Sequence, residues 1–122
     1  MTDAAPTPAF PPKKPEIEFD AFAKLDLRLA TVLDLIDHPN ADKLYVLTIR
    51  VGDAEKQLCA GLRGRIPADQ ILGKTIVIVH NLKPRTLRGE TSEGMLLAAS
   101  FDGGITLLTS DGGSFQDGAT VG

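Results

Sequence analysis

Apolar and polar residues alternate from Leu25 to Ile36, and this alternation is the clearest structural signal in the chain. Leucine or threonine occupies every odd position from 25 to 35, whereas the even positions are mixed. A period of two is that of a β-strand, in which successive side chains point to opposite faces. Leucine content alone favours a helix, but the alternation favours a strand with the odd positions on its apolar face. A strand this long usually bends and serves two sides of a sheet or barrel.

Further apolar segments predict a succession of shorter strands. Residues 45–51 alternate again, and Gly52 with Asp53 marks a hairpin-type reversal. The β-branched run at 75–79 is typical of a buried strand. The predicted strands after the first cover residues 45–51, 57–62, 75–79, 95–101 and, as a short addition, 105–108.

Two short helices are predicted beside these strands. Residues 66–73 have Pro67 at a first-turn position and Gly73 at the end. Residues 17–24 can form one helical turn with Asp20 as its N-cap. The order is therefore three strands, a short helix, a strand, a polar segment and a fifth strand.

This order predicts an all-β fold, a five-stranded OB-fold barrel with a short helix between strands 3 and 4 and small terminal extensions. Such a barrel binds ligands in the loops that join strands 1–2 and strands 4–5. The corresponding segments are the HPNADK loop (residues 38–43) and the basic segment (residues 80–95). Residues 1–15 are predicted to be a flexible Pro-rich leader, and residues 16–122 the barrel domain.

Composition and charge restrict the function. The chain has 122 residues and a net charge of −3, one cysteine, and no apolar run long enough for a membrane helix. Residues 38–94 carry six acids and nine bases, net +3, between two acidic ends. A confined positive patch on an acidic protein favours one docking pose for a polyanion. The lone Cys59 and the lack of a secretory signal pattern predict a cytoplasmic protein.

No set of residues predicts catalysis, a cofactor or a metal site. Cys59 lies between small and apolar neighbours, as a buried structural thiol does. His38 and His80 lie far apart in sequence and lack companions at zinc-ligand spacing. We therefore expect a protein that is not an enzyme.

The basic segment predicts nucleic-acid binding. Lys83, Arg85 and Arg88 follow one another without an intervening acid, and Pro84 stiffens the segment. Cations on a stiff loop can span successive phosphates, although a charged loop also serves solubility. Aromatic residues are few, and Tyr45 can pack as well as stack. These features favour recognition of a folded RNA by shape and backbone over stacking of single-stranded bases.

Three segments together resemble the tRNA-binding OB domain family. They are DLRLA at 26–30, HPNADKLY at 38–45 and NLKPRTLRGETSEGMLLAA at 81–99. Members occur as C-terminal extensions of methionyl-tRNA synthetases and as free-standing tRNA-binding proteins. The resemblance implies tRNA binding without aminoacylation, homodimers formed near the chain ends, and a possible aminoacyl-tRNA synthetase as partner. Ala30 and Thr86 depart from the glycine and lysine that the family often has there.

The resemblance also implies the residues of an RNA-binding site. The stronger candidates are Asn81, Lys83, Arg85, Arg88, Ser92 and Met95, and the weaker ones are Arg28 and Lys43. Met95 could contact RNA or anchor the segment from below. The alternative function is that of a secretion-related, protein-binding chaperone of the same fold, which would use an apolar groove.

Overall fold

The fold is built almost entirely from β-strands. The computed structural model describes residues 10–112 and 115–122. Its elements in chain order are α1 (Phe19–Ala23), β1 (Leu27–Asp37), β2 (Tyr45–Val51), β3 (Ala54–Ala60), a 3₁₀ helix (Ala68–Gln70), β4 (Thr75–Val79), β5 (Arg85–Leu87), β6 (Glu90–Ser92), β7 (Met95–Leu96), β8 (Ala98–Phe101), β9 (Gly104–Leu107) and β10 (Thr120–Val121). The predicted strands 45–51 and 75–79 are confirmed in both bounds.

β1 is the central strand and is shared between two halves of one antiparallel sheet. The strand order is β3-β2-β1-β4-β7, and β10 also pairs with β1. The first half of β1 pairs with β4, from Leu27 opposite Val79, and the second half pairs with β2, down to Asp37 opposite Tyr45. The register with β2 shifts between Val32 and Asp34, which marks a bulge. The predicted bend is therefore present.

The bulge also corrects the predicted face of β1. Ala30 and Val32, both at even positions, are 0% and 1% exposed, whereas Leu29 and Leu33 are only half-buried. After the bulge the odd position Leu35 packs against the core. One extra residue in a strand exchanges the two faces. The main core cluster therefore contains Ala30 and Val32 before the bulge and contacts Leu35 after it, while Leu27 is buried at the start of the strand.

The sheet is curled, so that its two ends lie close to each other. Gln57 in β3 and Glu93, just after β6, exchange hydrogen bonds: the Glu93 N–H donates to the Gln57 carbonyl at 2.8 Å, and the Gln57 N–H donates to Glu93 Oε1 at 3.0 Å. The curled sheet encloses an aliphatic core. Its largest fully buried side chains are Leu47, Ile49, Leu58, Ile71, Ile76, Ile78 and Val32.

The helices differ from the prediction. The segment between β3 and β4 forms only the 3₁₀ helix Ala68–Gln70, with Pro67 at its N-cap position and Gly73 beyond its end at a positive φ of 79°. Ahead of β1, α1 is confirmed, but Asp20 lies in its first turn. The N-cap is Glu18, which makes no side-chain capping hydrogen bond.

The strand count also differs from five. The basic segment contains the hairpin β5–β6, the predicted strand 95–101 is divided into β7 and β8, and the C-terminal segment adds β10. Thus the all-β curled sheet is confirmed, whereas the count of five strands and the helix predicted at residues 66–73 are not. In the predicted leader, residues 10–15 are exposed and form no helix or strand, and residues 1–9 lie outside the described residues. No helix within the described ranges is both long and apolar enough to span a membrane.

Candidate nucleic-acid interface

The predicted basic loop is a hairpin held on the curled sheet. Arg85 pairs with Ser92 and Leu87 with Glu90, so only Arg88 and Gly89 form the turn. Both have positive φ, 49° for Arg88 and 93° for Gly89. Two consecutive left-handed residues are typical of the type I′ turn that joins tightly paired strands. The turn therefore projects Arg88 from the tip of the hairpin.

Four of the predicted cations are exposed and available to a ligand. Lys83, Arg85, Arg88 and Lys43 are exposed, and none of their side chains makes a hydrogen bond or ion pair with another residue that the structure describes. Surface cations without internal partners lose no protein contact when they bind phosphate. They are the natural contacts for a polyanion.

Lys43 and Arg88 lie on one groove although 45 positions separate them in sequence. The groove has a volume of about 480 Å³ and is lined by Arg88 and by residues 40–44 of the adjoining loop. The HPNADK loop and the hairpin tip are thus neighbours. Asn40 Nδ2 donates to the Arg88 carbonyl at 3.3 Å, and His38 Nε2 lies 2.8 Å from the Leu87 carbonyl oxygen.

Two other predicted site residues are engaged within the protein. Asn81 Oδ1 accepts from the Asp26 N–H at 2.9 Å, and its Nδ2 donates to the Lys24 carbonyl at 2.7 Å. Arg28 donates from Nε and Nη2 to the Asp26 carboxylate at 2.6 and 3.1 Å, and from Nη1 to the Gly118 carbonyl at 3.3 Å. Both residues fix the chain that leads into β1.

Ser92 and Met95 occupy different environments. Ser92 is only 6% exposed, and its hydroxyl accepts from the Cys59 N–H and donates to the Gly94 carbonyl, each at 3.0 Å. Met95 is 47% exposed, so about half of its side chain is open to a ligand. The structure therefore buries Ser92 where the hairpin meets β3 and leaves Met95 at the surface.

A second polar cluster lies where β4 ends. Lys56 Nζ is 2.8 Å from the His80 carbonyl oxygen and 3.2 Å from His80 Nδ1. Burial and the Lys56 charge lower the pKa of His80, against the opposing effect of Asp26. The cluster ties β3 to the start of the basic segment and favours a neutral His80.

The surroundings of Cys59 affect the reactivity of its thiol. Burial, and then the Glu90 charge, raise the pKa of the Cys59 thiol, so its reactive thiolate is disfavoured. Within residues 10–112 and 115–122, no three His, Cys, Asp or Glu residues are arranged to hold a metal ion.

His38 and Asn40 are the functional candidates that sequence reasoning missed. The sequence spacing bears on His38 only as a zinc ligand, yet the residue is 2% exposed and lies within hydrogen-bond distance of the hairpin. A contact between positions 49 residues apart leaves no signature in one sequence. The signal that the sequence does offer is that His38 and Asn40 both belong to the HPNADK motif.

Comparison with other proteins identifies relatives of this chain. Residues 27–118 match the family described as "putative tRNA binding domain". The methionine–tRNA ligase of Nanoarchaeum equitans is 48% identical over 90 residues, which are 74% of this chain and 12% of the ligase. That of Chlorobium phaeovibrioides is 42% identical over 108 residues, 88% of this chain and 15% of the ligase. The chain thus spans only about an eighth to a seventh of the length of these curated relatives.

Solved structures of similar fold cover nearly the whole chain. A MetRS-related protein from Pyrococcus horikoshii superposes with a TM-score of 0.82 at 28% identity, covering 88% of this chain and 99% of its own. The CsaA chaperone of Picrophilus torridus gives 0.79 at 30% identity, covering 88% and 100%. Together with the family match over residues 27–118, these likenesses show that the chain belongs to the putative tRNA binding domain family.

Proposed function

We propose that this chain is a non-catalytic tRNA-binding protein that recognises the shape and backbone of folded tRNA. The observation that carries the proposal is the group of exposed, internally unpaired cations on the hairpin and the HPNADK loop. Arg85 and Arg88 belong to the β5–β6 hairpin, Lys83 lies two residues before it, and Lys43 lines the same groove as Arg88. Phosphates supply most of the affinity of such surfaces. The contact set that we propose is Lys43, Lys83, Arg85, Arg88 and Met95, with Asn81, Arg28 and Ser92 supporting it.

The aromatic residues support recognition of a folded RNA rather than of stacked single strands. Tyr45 is 5% exposed, and its hydroxyl donates to the Ile66 carbonyl at 2.9 Å, so it packs in the core. The most exposed rings that the structure describes, Phe10 and Phe19, belong to the N-terminal segment rather than to the hairpin or its neighbouring loop. Single-strand binders stack bases on rings at the binding surface. This surface offers cations and one methionine instead.

Alanine variants of single cations test the site. Lys83→Ala and Arg85→Ala should each weaken tRNA binding and reduce the slope of log K against log salt by roughly 0.7–0.9 per lost phosphate contact. Lys74→Ala is the matched control, since Lys74 is an exposed cation directly before the opposite end of β4. If both variants bind tRNA like the unchanged protein, the hairpin is not the RNA site.

The chaperone function is the second candidate, and the likeness to the CsaA chaperone over the whole of that chain favours it. A chaperone binds unfolded polypeptide through apolar surface, whereas the hairpin surface described here is cationic. Competition between tRNA and an unfolded, carboxymethylated polypeptide separates the two functions. We expect tRNA to bind and the polypeptide to leave tRNA binding unchanged.

Two partners extend the proposal. The chain acts in the cytoplasm, and it forms a homodimer. The reason for the dimer is that the exposed Phe101 and Leu108 lie at or just beyond the β8–β9 hairpin and offer apolar surface to a second copy. Light scattering should then give twice the 13.0 kDa chain mass.

We also propose that the chain acts in trans with an aminoacyl-tRNA synthetase. That role predicts that added protein lowers the KM of a methionyl-tRNA synthetase for tRNA.

A further inference from the structure

The buried His38 connects the HPNADK loop to the hairpin. Its Nδ1 accepts a hydrogen bond from the Asn40 N–H at 2.9 Å, so the ring proton is on Nε2 and is donated to the Leu87 carbonyl at 2.8 Å. The bond made by one ring nitrogen fixes the role of the other. At 2% exposure, His38 has no surface with which to contact RNA. The two hydrogen bonds of its ring therefore connect the loop to the hairpin.

Asn40 makes a second connection one residue farther along the hairpin. Its Nδ2 donates to the Arg88 carbonyl at 3.3 Å, at the residue whose φ is +49°. A left-handed conformation is unfavourable for a residue with a side chain, and it persists where neighbouring contacts hold it. Asn40 therefore bonds to the main chain of the cationic residue that forms the hairpin tip.

The loop is also held on its other side. Arg63 Nη1 donates to the carbonyls of His38 and Ala41 at 3.4 and 3.5 Å, and Arg63 Nη2 lies 3.3 Å from the Asp37 carboxylate. The His38 N–H donates to the Leu44 carbonyl at 3.0 Å and closes the loop. With the loop fixed at its base, the bonds of His38 and Asn40 fix the hairpin tip relative to it.

We propose that His38 and Asn40 are positioning residues of the RNA site, which hold Lys43 and Arg88 across the groove so that both reach one stretch of RNA backbone. This inference rests on the proposed tRNA binding. Ordering loops and long side chains on binding costs affinity, and a site already ordered in the free protein avoids that cost. The two residues act through Leu87 and Arg88 and contribute affinity without touching the ligand.

A double-mutant cycle between Asn40 and Arg88 tests the inference. Asn40 is exposed, so Asn40→Ala leaves the core intact. We expect Asn40→Ala to weaken tRNA binding about three- to tenfold, the loss typical of one hydrogen bond. In an Arg88→Ala background, where the tip carries no cation to position, Asn40→Ala should have little further effect. The matched control is Gln70→Ala, an exposed amide on the 3₁₀ helix.

Additive losses in this cycle would mean that Asn40 contacts RNA itself, and they would overturn the inference. So would an Asn40→Ala variant that binds tRNA like the unchanged protein while Arg88→Ala binds weakly. That second result leaves the proposed function standing. If the unchanged protein and Arg88→Ala both fail to bind tRNA, the proposed function falls and the inference falls with it.

Variants of His38 add a readout that a purely structural role would not move. His38→Gln keeps a donor for the Leu87 carbonyl, whereas His38→Leu keeps only bulk. At equal folded fraction, we expect His38→Gln to retain more tRNA affinity than His38→Leu. Nitrogen-15 NMR of the ring should show the proton on Nε2. A proton on Nδ1, or equal affinity of the two folded variants, contradicts the role given to His38. If His38→Leu does not fold, the Asn40 cycle decides.

Discussion

The hydroxyl of Ser92 accepts a hydrogen bond from the main-chain N–H of Cys59 at 3.0 Å and so joins the β5–β6 hairpin to β3, an edge strand of the curled sheet. The same hydroxyl donates to the Gly94 carbonyl, and Ser92 is 6% exposed. The hairpin that carries the cations is therefore attached to β3 through a buried side chain. Its stability and its orientation depend on this contact.

Ser92→Ala should lower the free energy of unfolding by about 1–3 kcal/mol, because it leaves a buried N–H and a carbonyl without their partner. Urea denaturation measures the change. Thr91→Ala is the matched control, since Thr91 is exposed on the same strand and only its carbonyl is bonded. Equal stability of the two variants would show that the Ser92 hydroxyl contributes nothing to the closure.

Gly94 permits a close approach of backbone that a larger residue would block. A Cβ at this position would lie 2.9 Å from the Val79 carbonyl oxygen and 3.1 Å from Leu58 Cδ2. Because the first neighbour is main chain, Gly94→Ala should force β4 and β7 apart and destabilise by about 1–3 kcal/mol. Gly61→Ala is the control, since its nearest atom would lie at an ordinary 3.9 Å. A thermal midpoint for Gly94→Ala as high as that of Gly61→Ala would contradict the steric account.

The elements predicted well from sequence are the two strands in which most residues are buried. β2 and β4 have strong apolar or β-branched patterns, and both were predicted to the residue. β1 was predicted as a bent strand with the wrong inner face in its first half. The error has a physical cause. Leucine at odd positions indicated an odd inner face, but the bulge near Leu33 exchanges the two faces of the strand. The amino-acid composition of the strand does not reveal such a bulge.

The missed elements have no clear signal in the local sequence. β10 consists of two residues and exists because Leu27 and Arg28 offer a free strand edge. The β5–β6 hairpin was predicted as a loop because its first turn residue is Arg88. Arginine, unlike asparagine or glycine, is not typical of a left-handed turn position.

In the candidate site, the exposure of the cations could be predicted from the sequence, whereas the hydrogen bonds of Asn81 and Ser92 could not. Lys83, Arg85 and Arg88 are exposed as a basic surface requires, and the HPNADK loop does adjoin the hairpin. The supporting roles of Asn81 and Ser92 arise from bonds to Asp26 and Cys59 that span 55 and 33 residues. Such pairings follow from strand register and from the curling of the sheet, which a single sequence does not specify.

Asp117 attaches the C-terminal segment to β1 and β2. The Thr31 hydroxyl donates to Asp117 Oδ1 at 2.6 Å, and Arg50 Nε donates to Oδ2 at 2.8 Å. Burial by itself raises the pKa of Asp117, but these two hydrogen bonds and the Arg50 charge outweigh it, so the pKa lies below its ordinary value of 3.8. A carboxyl with a lowered folded-state pKa stabilises the fold above the unfolded pKa. That stability is lost as the pH falls through the folded pKa.

Asp117→Asn should therefore destabilise the protein near neutral pH by about 1–2 kcal/mol and flatten the dependence of stability on pH in the acid range. Urea denaturation at a series of pH values measures both effects. Asp102→Asn is the control, because Asp102 is an exposed carboxylate between β8 and β9. An acid dependence for Asp117→Asn as steep as that of the unchanged protein would refute the assignment.

Binding of folded tRNA, compared with an unstructured RNA of equal length over a salt series, tests the central claim most directly. With Lys43, Lys83, Arg85 and Arg88 each neutralising one phosphate, the slope of log K against log salt should have a magnitude of about 3. We predict that tRNA binds more tightly than the unstructured RNA at every salt concentration, with this slope. Equal affinity for the two RNAs, or a slope near zero, would contradict recognition of folded tRNA by this surface.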